Sequence, residues 1–229
     1  MQNIMKLSAQ TRHQEQKTLI ILSVFLIVLI LFSASFLMVL FDKSFYDNSF
    51  EKLGVYDELG VQGTRNTLDY LINYLTSENT EINKTEQLTV FEPEEKSHLQ
   101  DVKNIISWVK ATSIAAAVLL FAFIMRLSTL AEFRPNIRRI LVCAGISTLG
   151  VLAVLFILSL NFPAFFNAFH QVLFPQGNYS FPDYYLLIKM FPQGFFKGFA
   201  NKMFFHTAIM GLIMLFLGHS FNGFLRKTR

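Results

Sequence analysis

From Thr18 to Phe41 the chain runs 24 residues without a charged side chain. A helix of that length is about 36 Å long, enough to cross a hydrocarbon core about 30 Å thick. Three more runs share the property. Asn104–Met125 is broken only by Lys110, which is near enough to one end to snorkel. Ile140–Leu160 has no charge, and Met203–Leu225 carries only His206 and His219 as ionisable groups. Backbone polar groups in lipid must find partners within their own segment, which leaves the helix as the form such runs take. Composition agrees: 52% of residues are hydrophobic and 16% charged, against about 25% charged in a soluble domain. The expected fold class is an all-α integral membrane protein with transmembrane helices at 18–41, 104–125, 140–160 and 203–225. The first run has a basic leader, and Ser33-Ala34-Ser35 loosely resembles a cleavage site. Its apolar length nevertheless exceeds the roughly 7–15 residues of a signal peptide core, so a retained anchor is expected.

The net charge of +4 hides a division by side. Residues 1–17, 126–139 and 226–229 hold ten basic side chains, namely Lys6, Arg12, Lys17, Arg126, Arg134, Arg138, Arg139, Arg226, Lys227 and Arg229, opposed only by Glu15 and Glu132. The remaining segments, 42–103 and 161–202, are net acidic even when Lys110 is counted with them. Short basic segments stay in the cytoplasm. The sequence therefore predicts a multi-pass membrane protein with both termini cytoplasmic. The basic excess describes topology and lipid headgroups, and no nucleic-acid partner is expected. A single cysteine excludes an intramolecular disulfide, and its place in an apolar run suits Cys143 to packing.

The two outer segments differ in character. Residues 42–103 are too many for a bare loop. Leu68, Leu71, Ile72 and Leu75 mark one face of a helix, Ser77–Gln87 reads as a solvated polar turn, and Glu92–Lys103 reads as a helix with Pro93 in its first turn that continues into the second span. Together they suggest a small, mostly helical extracellular cap. Residues 161–202 are rich in aromatics, with twelve Phe between Asn161 and Phe205. Phe162, Phe165, Phe166 and Phe169 follow helical spacing. A re-entrant or interfacial helix accounts for that pattern, since aromatics favour the membrane boundary.

Among five histidines, His13 falls in the basic tail and His219 near the inner end of the fourth span. His206 is an intramembrane ionisable group and so a functional candidate. His98 and His170 both fall on the outer face beside a membrane boundary. Asp101 follows His98 at i+3, on the same side of a helix, where a carboxylate can orient an imidazole. Such pairs are also common as plain surface pairs. There is no Gly-rich phosphate loop, no GxSxG elbow and no HExxH, so neither a cofactor nor a metal is expected. On these residues alone, two classes stay open: an enzyme working through the histidines, and a non-enzymatic membrane protein whose acidic cap binds a ligand or protein partner.

His98-Leu99-Gln100-Asp101-Val102-Lys103 before the second span and Phe169-His170-Gln171-Val172-Leu173-Phe174 after the third resemble blocks of the bacterial lipoprotein intramolecular transacylase (Lit) family. Tyr185-Leu186-Leu187-Ile188 and Phe191-Pro192-Gln193-Gly194-Phe195-Phe196 resemble the next block. Gly177-Asn178-Tyr179-Ser180 departs from it, having no tryptophan. The resemblance implies a membrane acyltransferase. Its expected reaction moves an acyl chain from the sn-2 position of a diacylglyceryl-modified lipoprotein to the amino group of that protein's own N-terminal cysteine, giving a lyso-form lipoprotein. It implies His98 and His170 as the catalytic pair, with the diacylglyceryl lipoprotein and membrane lipid as partners. Beside it, Phe162, Phe165, Phe166 and Phe169 suit a lining for acyl chains. Arg65, Asn66 and Tyr74 are candidate hydrogen-bond donors to the substrate. If imidazoles alone serve the reaction, EDTA leaves acyl transfer at its untreated rate; strong inhibition would point to a metal instead.

Overall fold

The computed structural model describes residues 2–77, 82, 88–130 and 133–227, with side chains between Gln10 and Ser220. Among them there is helix and no strand. The elements are α1 (Gln2–Leu40), α2 (Lys43–Lys52), α3 (Val55–Leu59), α4 (Val61–Thr76), α5 (Pro93–Ser128), α6 (Phe133–Leu158), α7 (Phe162–Leu173), α8 (Leu186–Met190) and α9 (Gln193–Lys227). Four are long and apolar enough to cross a membrane, over Gln10–Leu40, Pro93–Ser128, Phe133–Leu158 and Gln193–Ser220. They expose large apolar side chains, among them Ile21, Phe25, Ile114, Phe121 and Phe216. Surfaces of that kind suit lipid rather than water.

These helices overrun the apolar runs that announce them. α5 begins at Pro93 and α9 at Gln193, ahead of Asn104 and Met203. α6 begins at Phe133, so the expected 126–139 loop is mostly helix, with Arg134, Arg138 and Arg139 on α6. Apolar length measures the hydrocarbon crossed, whereas the hydrogen-bond ladder continues until a breaker stops it. Cys143, expected to pack inside, is exposed. The 161–202 segment forms the expected helix over its spaced Phe residues as α7, followed by a non-helical stretch, α8 and the start of α9. Of the polar turn expected at Ser77–Gln87, all but Ser77 and Ile82 lies outside the described residues, as do the side chains of Lys6, Arg226, Lys227 and Arg229.

The chain divides into two compact units. The first comprises Met1–Ser35, Thr112–Leu155 and Phe204–Arg229. Leu19, Leu127 and Ile140 form its buried cluster with Phe123 and Ile137 against them. Glu15 accepts from two guanidinium nitrogens of Arg126, at 2.6 and 3.0 Å. Thr207 Oγ1 donates to Ser35 Oγ (2.8 Å), which donates to the Leu31 carbonyl (2.9 Å), a buried hydroxyl chain linking α9 to α1. α6 and α9 approach closely at glycines: a Cβ on Gly145 would lie 2.7 Å from Leu215 Cγ and 2.8 Å from the Gly211 carbonyl oxygen.

The second unit, Phe36–Ala111 and Phe156–Met203, holds every candidate site residue except His206. Asp42 caps α2 by accepting the Phe45 N–H at 3.0 Å. Gly54 and Gly60 take φ of +73° and +80°, a region glycine enters freely, and these two corners separate α2, α3 and α4. α4 buries Leu68, Leu71, Tyr74 and Leu75. These join Phe50, Phe91, Leu99 and Phe195 in one core. The rings of Phe45, Tyr46 and Phe50 all meet Phe195 at centroid distances of 5.3–5.8 Å.

The backbone contact at Gly145 cannot be relieved by a side-chain rotation. Gly145→Val lowers the unfolding midpoint in detergent, at a cost of about 1–3 kcal/mol or more. Gly150→Ala on the same helix, where an added Cβ meets nothing within 4 Å, leaves the midpoint unchanged.

Candidate active site

Two helices of the second unit supply the histidines. α5 carries His98 in its second turn. The apolar stretch of α5 starts at Asn104, and the charged turns ahead of it carry Glu94, Glu95, Lys96, His98, Asp101 and Lys103. α7 starts where the Asn161 side chain accepts the Ala164 N–H, with Pro163 in the first turn, and its last turn carries His170. The helix ends with the Phe174 N–H donating to the His170 carbonyl at 2.8 Å.

The two imidazoles come together. Their rings are near parallel, 18° apart, with centroids 6.3 Å from each other. His98 is 8% and His170 7% exposed. Aromatic side chains enclose both: Phe174 and Phe181 meet His98 at 4.5 and 5.5 Å, and Phe166, Tyr179 and Phe174 meet His170 at 4.1, 5.3 and 5.6 Å. A cavity of about 360 Å³ opens beside His170, lined also by Pro163, Phe166, Asn167, Tyr179, Ser180 and Gln193.

Hydrogen bonding fixes which nitrogen of His170 is free to react. Its Nδ1 lies 2.8 Å from the Phe166 carbonyl, an acceptor, so Nδ1 carries the hydrogen and Nε2 the lone pair. Burial lowers the His170 pKa below its ordinary 6.5, opposed by that carbonyl. Burial lowers His98 further, to about 4, with the neighbouring His170 adding to the shift and Asp101 opposing it. Both rings are therefore neutral at pH 7, and a charge on one disfavours a charge on the other.

Asp101 raises the His98 pKa, as their spacing suggests, but its hydrogen bonds go elsewhere. Its Oδ2 accepts from Gln176 Nε2 (2.8 Å) and Asn178 Nδ2 (2.6 Å), fastening the strap after α7 instead. The buried Nδ1 of His98 has no hydrogen-bond partner among the described residues. Of the candidate lining, Phe166 is against His170, Phe162 packs on Phe165 and Phe166, and Phe169 touches the His170 ring from an exposed position. Arg65 and Asn66 are engaged elsewhere in the unit: Arg65 pairs with Asp47 at 2.9 Å and Asn66 accepts from Gln62. Tyr74 is fully buried, donating to Gln100 at 2.8 Å under the Lys103 ammonium. His206 belongs to the first unit and packs beside Phe205.

Sequence reasoning missed Phe174, Tyr179, Phe181, Gln176 and Asn178. Phe174 closes the second histidine block, and the Gln-Gly-Asn run after it carries amides suited to a carboxylate. The pairing of Asp101 with that run is a long-range contact that no helical period encodes.

Among the described residues, no three His, Cys, Asp or Glu side chains are grouped to hold a metal ion. Residues 20–196 match the family described as lipoprotein intramolecular transacylase Lit. Among solved structures, the membrane-integral Lit of Bacillus cereus superposes with a TM-score of 0.80 at 19% identity, covering 94% of this chain and 99% of that one. A form of it with one histidine replaced by arginine gives 0.80 at 18% identity over 98% and 99%. A form with a histidine replaced by alanine gives 0.77 at 18% over 96% and 99%. At such identities the superpositions speak for the fold: an all-helical membrane protein. No match was found among curated protein sequences. With most of its length inside the family match, this chain belongs to the lipoprotein intramolecular transacylase family and is a membrane-integral acyltransferase.

Proposed function

We propose that this acyltransferase moves the sn-2 acyl chain of a diacylglyceryl-modified lipoprotein to the amino group of the same protein's N-terminal cysteine. In this reading His98 and His170 are the acid/base pair. The observation that carries it is the convergence of two buried imidazoles, their ring centroids 6.3 Å apart among aromatic side chains, with a cavity beside His170. Aminolysis of an ester needs a group to take the proton of the attacking amine and a group to return a proton to the departing glycerol oxygen. Nε2 of His170 has the free lone pair for the first step. As the nitrogen–carbon bond forms and the ester carbon–oxygen bond breaks, the pair gains one proton and then gives it to the glycerol oxygen. Two rings that resist double protonation act as one site carrying a single proton. Donor and acceptor belong to one substrate molecule, so the reaction asks for positioning rather than a nucleophilic serine or cysteine. Walls of Phe166, Phe174 and Phe181 keep out water, whose attack would release free fatty acid.

The charge distribution supports a bacterial cell membrane location with both termini cytoplasmic and the histidines on the extracellular side, where lipoproteins carry their lipid. The Glu15–Arg126 ion pair supports it further, because it joins the N-terminal tail to the end of α5. Membrane lipid and the diacylglyceryl lipoprotein are the partners in this account.

Replacement of His98 or His170 by Ala in the purified protein lowers transfer by about 10²–10⁴-fold, read by mass spectrometry of the acylated amine. Wild-type rates in either variant would remove the mechanism. Stability gives a second check. Both histidines bind protons less readily folded than unfolded, so as pH drops below 6.5 the unfolded chain gains more protons and stability falls. The unfolding midpoint should decline between pH 6.5 and about 4, and His98→Phe should flatten that decline.

A further inference from the structure

One turn before His98 on α5, and one turn after it, stand two carboxylates with the same kind of task. Glu95 is fully buried. Its Oε2 accepts the Glu92 N–H at 2.7 Å, a reach back to the start of its own helix. Its Oε1 accepts the Leu187 N–H, in the first turn of α8, at 2.6 Å. Asp101 accepts from Gln176 and Asn178, and Asn178 also reaches Ser97 Oγ at 3.4 Å. Between these anchor points runs the strap 174–187. It turns where Gly177 N–H donates to the Phe174 carbonyl at 2.9 Å, with Gly177 at φ +82°. The strap brings Phe174 and Phe181 onto His98 and Tyr179 onto His170.

We infer that Glu95 and Asp101 are positioning residues that bind the two ends of the 174–187 strap and so seat its aromatic rings against the histidine pair. Neither carboxylate touches the His98 ring through a hydrogen bond; each acts through the strap. Both carboxylate oxygens of the buried Glu95 are hydrogen-bonded, and unseating the strap strips one of them of its partner, a costly loss for a buried polar group. Glu95→Gln replaces one of the two acceptor oxygens by an NH2 donor and leaves one of the two backbone N–H groups unmatched. Loosening the strap admits water to the acyl carbon. Water then takes the place of the amine: its oxygen bonds to the acyl carbon, the ester carbon–oxygen bond breaks, and the products are a free fatty acid and the glycerol hydroxyl.

The inference rests on the acyl-transfer reading, and one experiment separates the two. Wild type, Glu95→Gln and Asp101→Asn are reconstituted with a synthetic diacylglyceryl lipopeptide, and both N-acyl product and free fatty acid are counted by mass spectrometry. Hydrogen exchange is followed across 181–190. In Glu95→Gln, transfer drops on the order of 10–10²-fold, the share of free fatty acid rises, and exchange at the Leu187 amide quickens. Asp101→Asn, milder because the amide oxygen still accepts, moves the same readouts in the same direction. A variant that loses folded protein while each remaining folded molecule keeps the wild-type ratio of transfer to hydrolysis overturns the inference. So does wild-type behaviour in both. An inert wild type removes the transfer reading, and the inference with it.

Discussion

A peptide group inside hydrocarbon has no partner except another peptide group, and the architecture follows from that constraint. It turns each apolar run into a helix, and it gives those helices no reason to stop where the lipid does. α5 extends back from Asn104 to Pro93, and the added turns carry Glu95, His98 and Asp101 on successive turns. α9 extends back to Gln193, which lines the cavity with His170. The proposed site is thus built partly from the overrun of spanning helices, which gives His98 a rigid support.

The second requirement is dryness. The aromatic excess between the third and fourth spans has a specific destination: Phe166, Phe174 and Tyr179 around one imidazole, Phe174 and Phe181 around the other. Burial holds both rings neutral, which suits groups that must accept a proton before they give one. In the proposed reaction the same enclosure serves to keep out water, the competing nucleophile. Charged side chains serve around this enclosure as fasteners, as in Asp101 with the strap amides and Glu95 with two helix starts.

Much of this was legible in the residues. Uncharged runs gave the four spans, because charge in lipid is penalised wherever it occurs. Helical spacing marked Leu68, Leu71 and Leu75, which are buried, and the order and topological setting of His98 and His170 marked the pair. Helix ends were less legible, since charge limits the membrane and not the helix; hence α6 starts at Phe133, well before Ile140. The hydrogen-bond partners of Asp101 were not legible for a related reason, although it does raise the His98 pKa. An i+3 spacing says that two side chains share a helix face, but the partner that reaches that face first is set by the fold of residues 174–187. Arg65 and Asn66 were chosen by residue type alone, and their bonds to Asp47 and Gln62 are made within the acidic segment.

The central claim is that the two imidazoles act as a single proton-carrying unit. It is tested most directly by a double-mutant cycle on single-turnover acyl transfer, using His98→Asn, His170→Asn and the double variant. Groups that act as a unit are non-additive. The account predicts a double variant no slower than the slower single one. Losses that multiply would show two independent groups and contradict it.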